Sequence, residues 1–411
     1  MRDRKARLRL AIFLAGLATL ALSTYLSHLW PSNAPDWFYY GFIAKYYAKH
    51  GDYPKVSWWR EDQPPFIYKS PIIALSSLLV DPRAGPHHDY RFILALIFGV
   101  TASVISWLIE PRMGTVVPWF VTAVYNLHYA GFLGGKRTIC LLTYPILGTL
   151  ALSTLLHDPP RRSVRVRALT AGALGSITGA CYDGWPEVPV IFGLTALVPD
   201  VPRRARVKLL AVLAGFSLGA GVTVAIPGTA SHGLLTYHSP GLVPKLIGNI
   251  REWSPPETFE SAVPTWFYLV ALPIAGALMA RRPEWTKVRL AALVCMSSGL
   301  VIYRFGTASA LLLGPAWWEL PCCVMSSLYA VTMTQALHWK EFWQKYPGWN
   351  SMKPVIVNRL KRYREPWGRG LSPPFEAWLY YEVDRVPPKV TPYDMDWRGW
   401  EPPLRRSHVP L

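Results

Sequence analysis

The sequence predicts an all-α membrane protein, a polytopic transmembrane helical bundle that crosses the bilayer about ten times. Hydrophobic residues make up 51% of the 411 residues and charged residues only 17%, against roughly 25% in soluble domains. Long apolar segments alternate with short basic clusters, as spans alternate with cytoplasmic loops. The 19 Trp and 21 Tyr residues fit the aromatic belts of the two membrane interfaces.

The apolar segments approach the ~20 residues that a membrane-spanning helix needs. The first follows a basic N-terminus without a clear small-residue cleavage site, which indicates an uncleaved helix rather than a signal peptide. The predicted spans cover residues 10–29, 92–109, 115–133, 138–156, 168–182, 186–200, 209–226, 263–280, 290–303 and 310–338.

Basic clusters give the predicted orientation. They lie at the N-terminus, at 161–167, 203–208 and 281–289, and in the tail after residue 340. The positive-inside rule places all of them, and therefore both termini, in the cytoplasm of a multi-pass protein, which we expect in the plasma membrane. The net charge of +18 is thus explained by orientation, and no nucleic-acid partner is expected.

The apolar segment at 71–80 is too short to span a membrane, and counting it as a crossing would move the cluster at 161–167 outside. It is therefore predicted to lie along the interface, inside a long first outer loop. The predicted organisation is a membrane domain over residues 1–338, with outer segments at 31–91, 134–137, 182–187, 227–262 and 303–309. A cytoplasmic tail of aromatic and basic residues follows at 339–411, either lying on the membrane surface or without a compact fold.

The first outer loop carries the most informative pattern. Asp36 follows a proline and opens an amphipathic helix with Phe38, Phe42 and Tyr46 on one face and Gly51 at its end. Asp36 fits two roles equally, a helix cap and a catalytic carboxylate at the membrane edge.

This loop resembles the first outer loop of the GT-C glycosyltransferases. Asp36 with its aromatic neighbours, the run Gly51-Asp-Tyr-Pro54 and the later run Pro64-Pro-Phe-Ile-Tyr68 are most similar to the polyprenyl-phosphate-mannose-dependent mannosyltransferases of glycosyltransferase family 87. The segment Gly134-Gly-Lys-Arg137 is similar to that family's second outer loop, and Gly314 to Pro321 resembles its late Ser-Pro-x-x-Trp segment. The second loop lacks the acid that many GT-C enzymes place there, so no metal site and no cofactor are expected.

The resemblance implies a GT-C-like bundle and sugar transfer from a polyprenyl-phosphate donor to a glycan, lipid or protein acceptor, with membrane lipids around the protein. It implies that Asp36 is the general base. The leaving phosphate needs cations, for which the outer-side candidates are Arg304, Lys136, Arg137 and Lys69. Arg304 fits a snorkelling boundary residue as well, and Lys136 and Arg137 fit simple flanking charges.

Two further outer segments are candidates for binding the sugar or the acceptor. They contribute Asp183 and Glu187, and Arg251, Glu252 and Trp253. A polar hairpin and an interfacial loop explain the same residues without a ligand. Two other functions also stay open: a transporter or flippase for a lipid-linked sugar, and a non-catalytic scaffold with a GT-C-like fold.

Cysteine usage indicates neither a zinc site nor a disulfide framework. The five cysteines lie in apolar segments and are predicted to be inert buried thiols: Cys140, Cys181, Cys295, Cys322 and Cys323.

Overall fold

The structure is a computed structural model that describes residues 2–28, 44, 47–49, 51, 71–79, 90–127, 136–196, 201–232, 283–297 and 303–318. Every regular element within these ranges is a helix. In chain order they are α1 (Arg2–His28), α2 (Pro71–Ser77), α3 (Tyr90–Ile109), α4 (Pro111–Gly114), α5 (Val117–Leu127), α6 (Cys140–His157), α7 (Arg161–Cys181), α8 (Glu187–Ala196), α9 (Arg203–Val224), α10 (Pro283–Ser297) and α11 (Tyr303–Leu313). A 3-10 turn, Lys136–Ile139, precedes α6, and another, Gly314–Trp317, follows α11.

Three helical segments in the described ranges are long and apolar enough to cross a bilayer. They are Arg4–Tyr25, Arg137–His157 and Arg203–Val224. In the most apolar part of the second segment, 83% of the residues are buried, against 28% and 33% in the other two segments. α6 is therefore central, and α1 and α9 are peripheral. The prediction of an all-helical fold is confirmed for the described ranges, and these three helices could span a membrane by their length and composition. The number of spans stays a prediction.

α7 and α9 run in the same direction and pack closely through small residues. Ala168 lies against Gly215, and Gly172 lies against Gly219, so residue numbers rise together along the pair. A Cβ atom at Gly219 would overlap the backbone of Gly172, which makes glycine necessary at this approach. Parallel neighbours require the chain to return between them, and α8 lies on that return path. The basic segments that begin α7 and α9 therefore lie at the same end of the bundle.

α6 runs antiparallel to α7. Near one end, Thr178 Oγ1 donates to Thr143 Oγ1 at 3.0 Å. Near the other end, Arg167 Nη1 donates to Ser153 Oγ at 2.7 Å and to Thr154 Oγ1 at 2.9 Å. The beginning of α6 is thus beside the end of α7, as expected for consecutive spans.

α1, α3 and α5 pack together beside this group. The ring of Phe13 in α1 lies 4.7 Å from the ring of Trp107 in α3, measured between centroids. Trp119 Nε1 in α5 donates to the carbonyl oxygen of Ile12 at 3.1 Å. Because Gly16 has no side chain, the Trp119 indole can reach the α1 backbone.

The short apolar segment at 71–80, which was predicted to lie in the first outer loop, contains α2, whose seven residues rise only about 10 Å. Ile72 and Ile73 are buried, and α2 packs against α3, α7 and the 3-10 turn before α6. A helix of this length does not cross a bilayer, which agrees with the interfacial location expected from the sequence.

The region around residue 303 differs from the prediction. Residues 303–309, which were expected to form an outer loop, are helical instead and begin α11, whereas their location at the outer side stays a prediction. The span predicted over 310–338 is interrupted early, where Gly314 and Pro315 enter a 3-10 turn. Polar residues obscured the helix in the sequence: Ser309 is fully buried, and its Oγ donates to the carbonyl oxygen of Cys295 at 3.2 Å.

Arg289 also differs from its predicted role as a cytoplasmic loop charge. It lies in the middle of α10 and is fully buried. Its Nε donates to the carbonyl oxygen of Ala316 at 3.0 Å, and its guanidinium carbon lies 5.8 Å from the ring centroid of Trp317. The side chain therefore joins α10 to the turn after α11. A hydropathy pattern contains no information about such a contact.

The described cysteines are buried, as predicted: Cys140, Cys181 and Cys295. Cys322, Cys323 and the tail at 339–411 lie outside the described residues.

Candidate functional site

The candidate site begins at the turn that joins α7 to α8. α7 ends at Cys181, and Tyr182 is extended, with φ −143° and ψ 124°. Residues 183–186 form a turn closed by the Glu187 N–H, which donates to the carbonyl oxygen of Gly184 at 3.1 Å. Glu187 thereby occupies the first turn of α8, where the helix dipole stabilises a carboxylate.

The Glu187 carboxylate accepts hydrogen bonds from two tyrosines inside the bundle. The hydroxyl of Tyr144, from α6, donates to Oε1 at 2.7 Å, and that of Tyr182 donates to the same oxygen at 3.3 Å. Glu187 is 7% exposed, Tyr144 0% and Tyr182 2%. A buried carboxylate is costly unless it is hydrogen-bonded, so the two phenols stabilise it and fix its orientation.

A basic side chain enters the same end of the bundle from the 3-10 turn before α6. Arg137 is 7% exposed, and the next residue, Thr138, is 2% exposed. The turn packs against α2, α3 and α7, so segments of the two loops that were predicted to lie outside meet here. A guanidinium presents five donors in a fixed fork that matches the oxygens of a phosphate or a carboxylate.

Asp183 and Trp185 complete the turn between α7 and α8. Both are half-buried, and one carboxylate oxygen of Asp183 is buried. The Trp185 indole packs against the hydrophobic core. The turn thus contributes an acid and a large aromatic face close in sequence to Glu187.

The opposite end of the same helices carries ion pairs. Glu110, which precedes α4, pairs with His157 at the end of α6. Lys208 Nζ lies 2.6 Å from Asp158 Oδ1, and the side chain of Asp158 is 58% exposed. Asp158 ends α6 in the left-handed conformation, with φ 41°.

Arg167 lies at this end too, just before the predicted span at 168–182. Burial lowers the pKa of its guanidinium below the ordinary value, while the nearby Glu110 carboxylate acts in the opposite direction. Its three contacts are with Ser153, Thr154 and the Leu150 carbonyl oxygen, the last at 3.3 Å. The guanidinium stays charged, because the ordinary pKa of arginine is far above neutrality.

Three of the predicted site residues are described with their side chains, and the structure brings them to one end of the bundle: Arg137, Asp183 and Glu187. Lys136 begins the 3-10 turn and Arg304 is the second residue of α11, but their side chains lie outside the description. The other predicted residues lie outside the described residues: Asp36, Lys69, Arg251, Glu252 and Trp253.

The sequence did not single out Tyr144 and Tyr182. Tyr144 interrupts a Leu-rich apolar run, and Tyr182 directly precedes Asp183. A buried tyrosine hydroxyl needs a hydrogen-bond partner, so a tyrosine within an apolar span is a signal that could have been used. The sequence alone does not identify the partner, because Tyr144 and Glu187 are 43 residues apart.

The described side chains can supply hydrogen bonds and charge. Among them, no group of three His, Cys, Asp or Glu is arranged to hold a metal ion. The chemistry available at this end is recognition of hydroxyl groups by Glu187 and Asp183, and of an anion by Arg137.

Comparison of the chain with protein-family models, with curated proteins and with solved structures gives no match. The likeness to the GT-C enzymes therefore rests on the sequence motifs alone.

Proposed function

We propose that the chain is a membrane glycosyltransferase that moves a sugar, mannose or a related hexose, from a polyprenyl-phosphate donor to an acceptor hydroxyl at the outer face of the membrane. The observation that carries this proposal is the buried group of Tyr144, Tyr182 and Glu187, which we call the carboxylate cluster, with the buried Arg137 at the same end of the bundle. α7 has 21 residues and runs from the basic segment at its beginning to the turn before Glu187, so the cluster and that basic segment lie at opposite ends of the helix. With the basic beginnings of α7 and α9 inside, as the positive-inside rule expects, this arrangement supports an outer location for the cluster.

Glu187 has acceptor capacity suited to a sugar. An ionised carboxylate offers about four lone-pair positions on two oxygens. The two tyrosine hydroxyls contact Oε1, and they hold the group in one orientation. Sugar hydroxyls are donors, and the nearby Trp185 offers an apolar face for a ring. These features favour a role for Glu187 and Asp183 in binding the sugar or the acceptor.

The donor phosphate requires positive charge that is not fully hydrated. Arg137 is buried in the 3-10 turn before α6, and its guanidinium can donate two parallel hydrogen bonds to phosphate oxygens. We assign Arg137 to the phosphate of the donor, with Arg304, Lys136 and Lys69 as further cations. These three assignments rest on the predicted outer location of the residues.

In the proposed reaction, the oxygen of the acceptor hydroxyl forms a bond to the anomeric carbon of the sugar. The bond from that carbon to the phosphate oxygen breaks, and the lipid phosphate leaves with the electron pair. The Asp36 carboxylate takes the hydroxyl proton. Arg137 stabilises the negative charge on the leaving phosphate. The role of Asp36 rests on the motif that it shares with the GT-C first loop.

Purified protein in liposomes, supplied with labelled polyprenyl-phosphate mannose and an alkyl mannoside, tests the proposal. We expect transfer of label to the mannoside. Asp36→Asn should lower the rate by about 100-fold or more, because a general base contributes that much. Glu187→Gln should lower transfer chiefly through KM. Asp158→Asn, at the opposite end, is the matched control and should keep the full rate.

Three outcomes would contradict the proposal or part of it. Movement of the lipid-linked sugar across the membrane without transfer would make the chain a transporter. A detergent-stable complex with another membrane enzyme, with no turnover on any donor, would make it a scaffold. Full activity of Asp36→Asn would remove Asp36 from the mechanism and leave the carboxylate cluster without its proposed base.

A further inference from the structure

We propose that the basic beginnings of α7 and α9 form a binding surface for the headgroups of anionic phospholipids in the inner leaflet. The surface consists of five exposed side chains and is called the arginine surface: Arg161, Arg162, Arg165, Arg203 and Arg204. It contains no residue of the proposed transfer site and is independent of the proposed function.

The parallel packing of α7 and α9 concentrates this charge. The five arginines come from two segments about 40 residues apart in the chain. Lys208 Nζ donates to Asp158 Oδ1 and to the carbonyl oxygen of Pro159, both at 2.6 Å, which fixes the first turns of α9 beside the loop that begins α7. Antiparallel neighbours would place the two basic segments at opposite ends of the bundle.

The two acids whose side chains are described at this end already have basic partners. The Asp158 carboxylate contacts Lys208, and the Glu110 carboxylate contacts His157 with Arg167 nearby. Their negative charge is largely offset by these partners. The arginine surface therefore attracts anions from outside the protein.

Apolar side chains continue from the arginines along the same helix faces. On α7, Val166 and Leu169 follow Arg162 at intervals of four and three residues, and they are 60% and 76% exposed. On α9, Val207 and Leu210 follow Arg203 with the same spacing and are 59% and 51% exposed. Each helix thus presents positive charge at its beginning and an exposed apolar stripe beyond it.

This order of charge and apolar surface matches an anionic phospholipid. The headgroup phosphate would contact the arginines, and the acyl chains would lie along the apolar stripes. Arginine suits the role because its guanidinium is weakly hydrated and pairs with phosphate through two hydrogen bonds. A soluble phosphate would use the arginines but gain nothing from the stripes, so the observations favour a lipid.

Titration of the full-length protein in neutral detergent with dioctanoyl phosphatidic acid tests the proposal, with binding followed by native mass spectrometry. Arg162→Gln with Arg165→Gln should weaken binding about thirtyfold, from the effect of two basic residues near a lipid surface. Arg203→Gln with Arg204→Gln is a second pair with the same expectation. It keeps the test valid if the first variant does not fold.

Arg4→Gln with Lys5→Gln is the matched control, because it removes the same charge from exposed residues at the beginning of α1. α1 packs against α3 and α5, and the control should change binding by less than about twofold at 0.15 M salt. Equal weakening by the control and the test pairs would overturn the proposal, because the effect would then follow net charge alone.

Two further ligands distinguish recognition of an anionic phospholipid from recognition of lipid or phosphate alone. Dioctanoyl phosphatidylcholine, which has no net charge, should bind at least about tenfold more weakly than the phosphatidic acid. Inorganic phosphate should compete only at far higher concentration. Competition by inorganic phosphate at the same concentration as the lipid would show that the arginines recognise phosphate alone, and the assignment to a phospholipid would fail.

Discussion

The carboxylates at the two ends of the α6–α7 pair have different surroundings. At the carboxylate cluster, Glu187 is buried and is held by two tyrosine hydroxyls. At the opposite end, Asp158 is mostly exposed and faces Lys208, and the buried Glu110 contacts His157, with Arg167 nearby. An exposed ion pair contributes about 0–1 kcal/mol, whereas a buried carboxylate costs several kcal/mol before its hydrogen bonds are formed.

Each end holds one buried carboxylate, but Glu110 lies beside the basic side chains of His157 and Arg167, whereas Glu187 accepts hydrogen bonds from two tyrosine hydroxyls. Exposed ion pairs at helix ends are expected wherever a membrane protein meets the aqueous phase. A carboxylate at membrane depth with oriented donors is expensive, and such residues usually line a ligand or ion path. The contrast is the reason for assigning the ligand site to the Glu187 end and a lipid contact to the arginine end.

Separation of α7 from α9 should have the largest effect, because both ends depend on their parallel packing. Gly219→Ala places a methyl group against the backbone of Gly172 and should destabilise the protein by about 3 kcal/mol. Thermal unfolding in detergent measures the loss. Gly221→Ala is the control, because nothing lies within 4 Å of a Cβ atom there. An equal loss in both variants would contradict the close packing.

Removal of the Glu187 carboxylate should have the next largest effect. Glu187→Ala leaves the hydroxyls of Tyr144 and Tyr182 without this acceptor and should destabilise the protein by about 2 kcal/mol. Glu187→Gln keeps an acceptor oxygen and should lose about half as much. Unfolding in detergent compares the variants. An unchanged unfolding temperature for Glu187→Ala would mean that the tyrosines are not anchored by this group.

Substitution of Arg167 should have an intermediate effect on the free energy of unfolding. Arg167→Lys keeps the charge but cannot reproduce the contacts with Ser153, Thr154 and the Leu150 carbonyl oxygen, and should cost about 1 kcal/mol. The same unfolding measurement applies. An unchanged unfolding temperature for Arg167→Lys would show that these three hydrogen bonds contribute nothing to stability.

Substitution of Asp158 should have the smallest effect on the free energy of unfolding. Asp158→Asn removes the ion pair with Lys208 but tolerates the left-handed backbone, so the loss should be below about 1 kcal/mol. The loss should shrink further in 1 M salt, because salt screens exposed charges. A loss as large as that of Glu187→Ala would remove the difference between the two ends.

The sequence was sufficient for the helices whose apolar runs are bounded by basic clusters. The predicted spans at 138–156, 168–182 and 209–226 overlap α6, α7 and α9, because basic residues and hydropathy mark both the helix and its direction. The apolar run of α2 was likewise assigned to the interface from its length. These predictions use properties that are local in the chain.

The sequence did not predict contacts between segments that are far apart in the chain. Arg289 was assigned to a loop because a basic residue near other basic residues predicts one, yet it lies buried against Ala316. The sequence pointed to Glu187 but not to the hydroxyl of Tyr144 that orients it. In both cases the environment of the side chain is set by a helix far away in the chain.

Labelling of introduced cysteines from one side of the membrane tests most directly whether the two ends lie on opposite faces. The native cysteines are replaced by alanine, and either Pro186→Cys, in the turn beside Glu187, or Arg162→Cys is added; both sites are exposed. An impermeant maleimide applied to intact cells should label residue 186 at once and residue 162 only after permeabilisation. Labelling of both from the same side, or in the reverse order, would contradict the outer location of the carboxylate cluster.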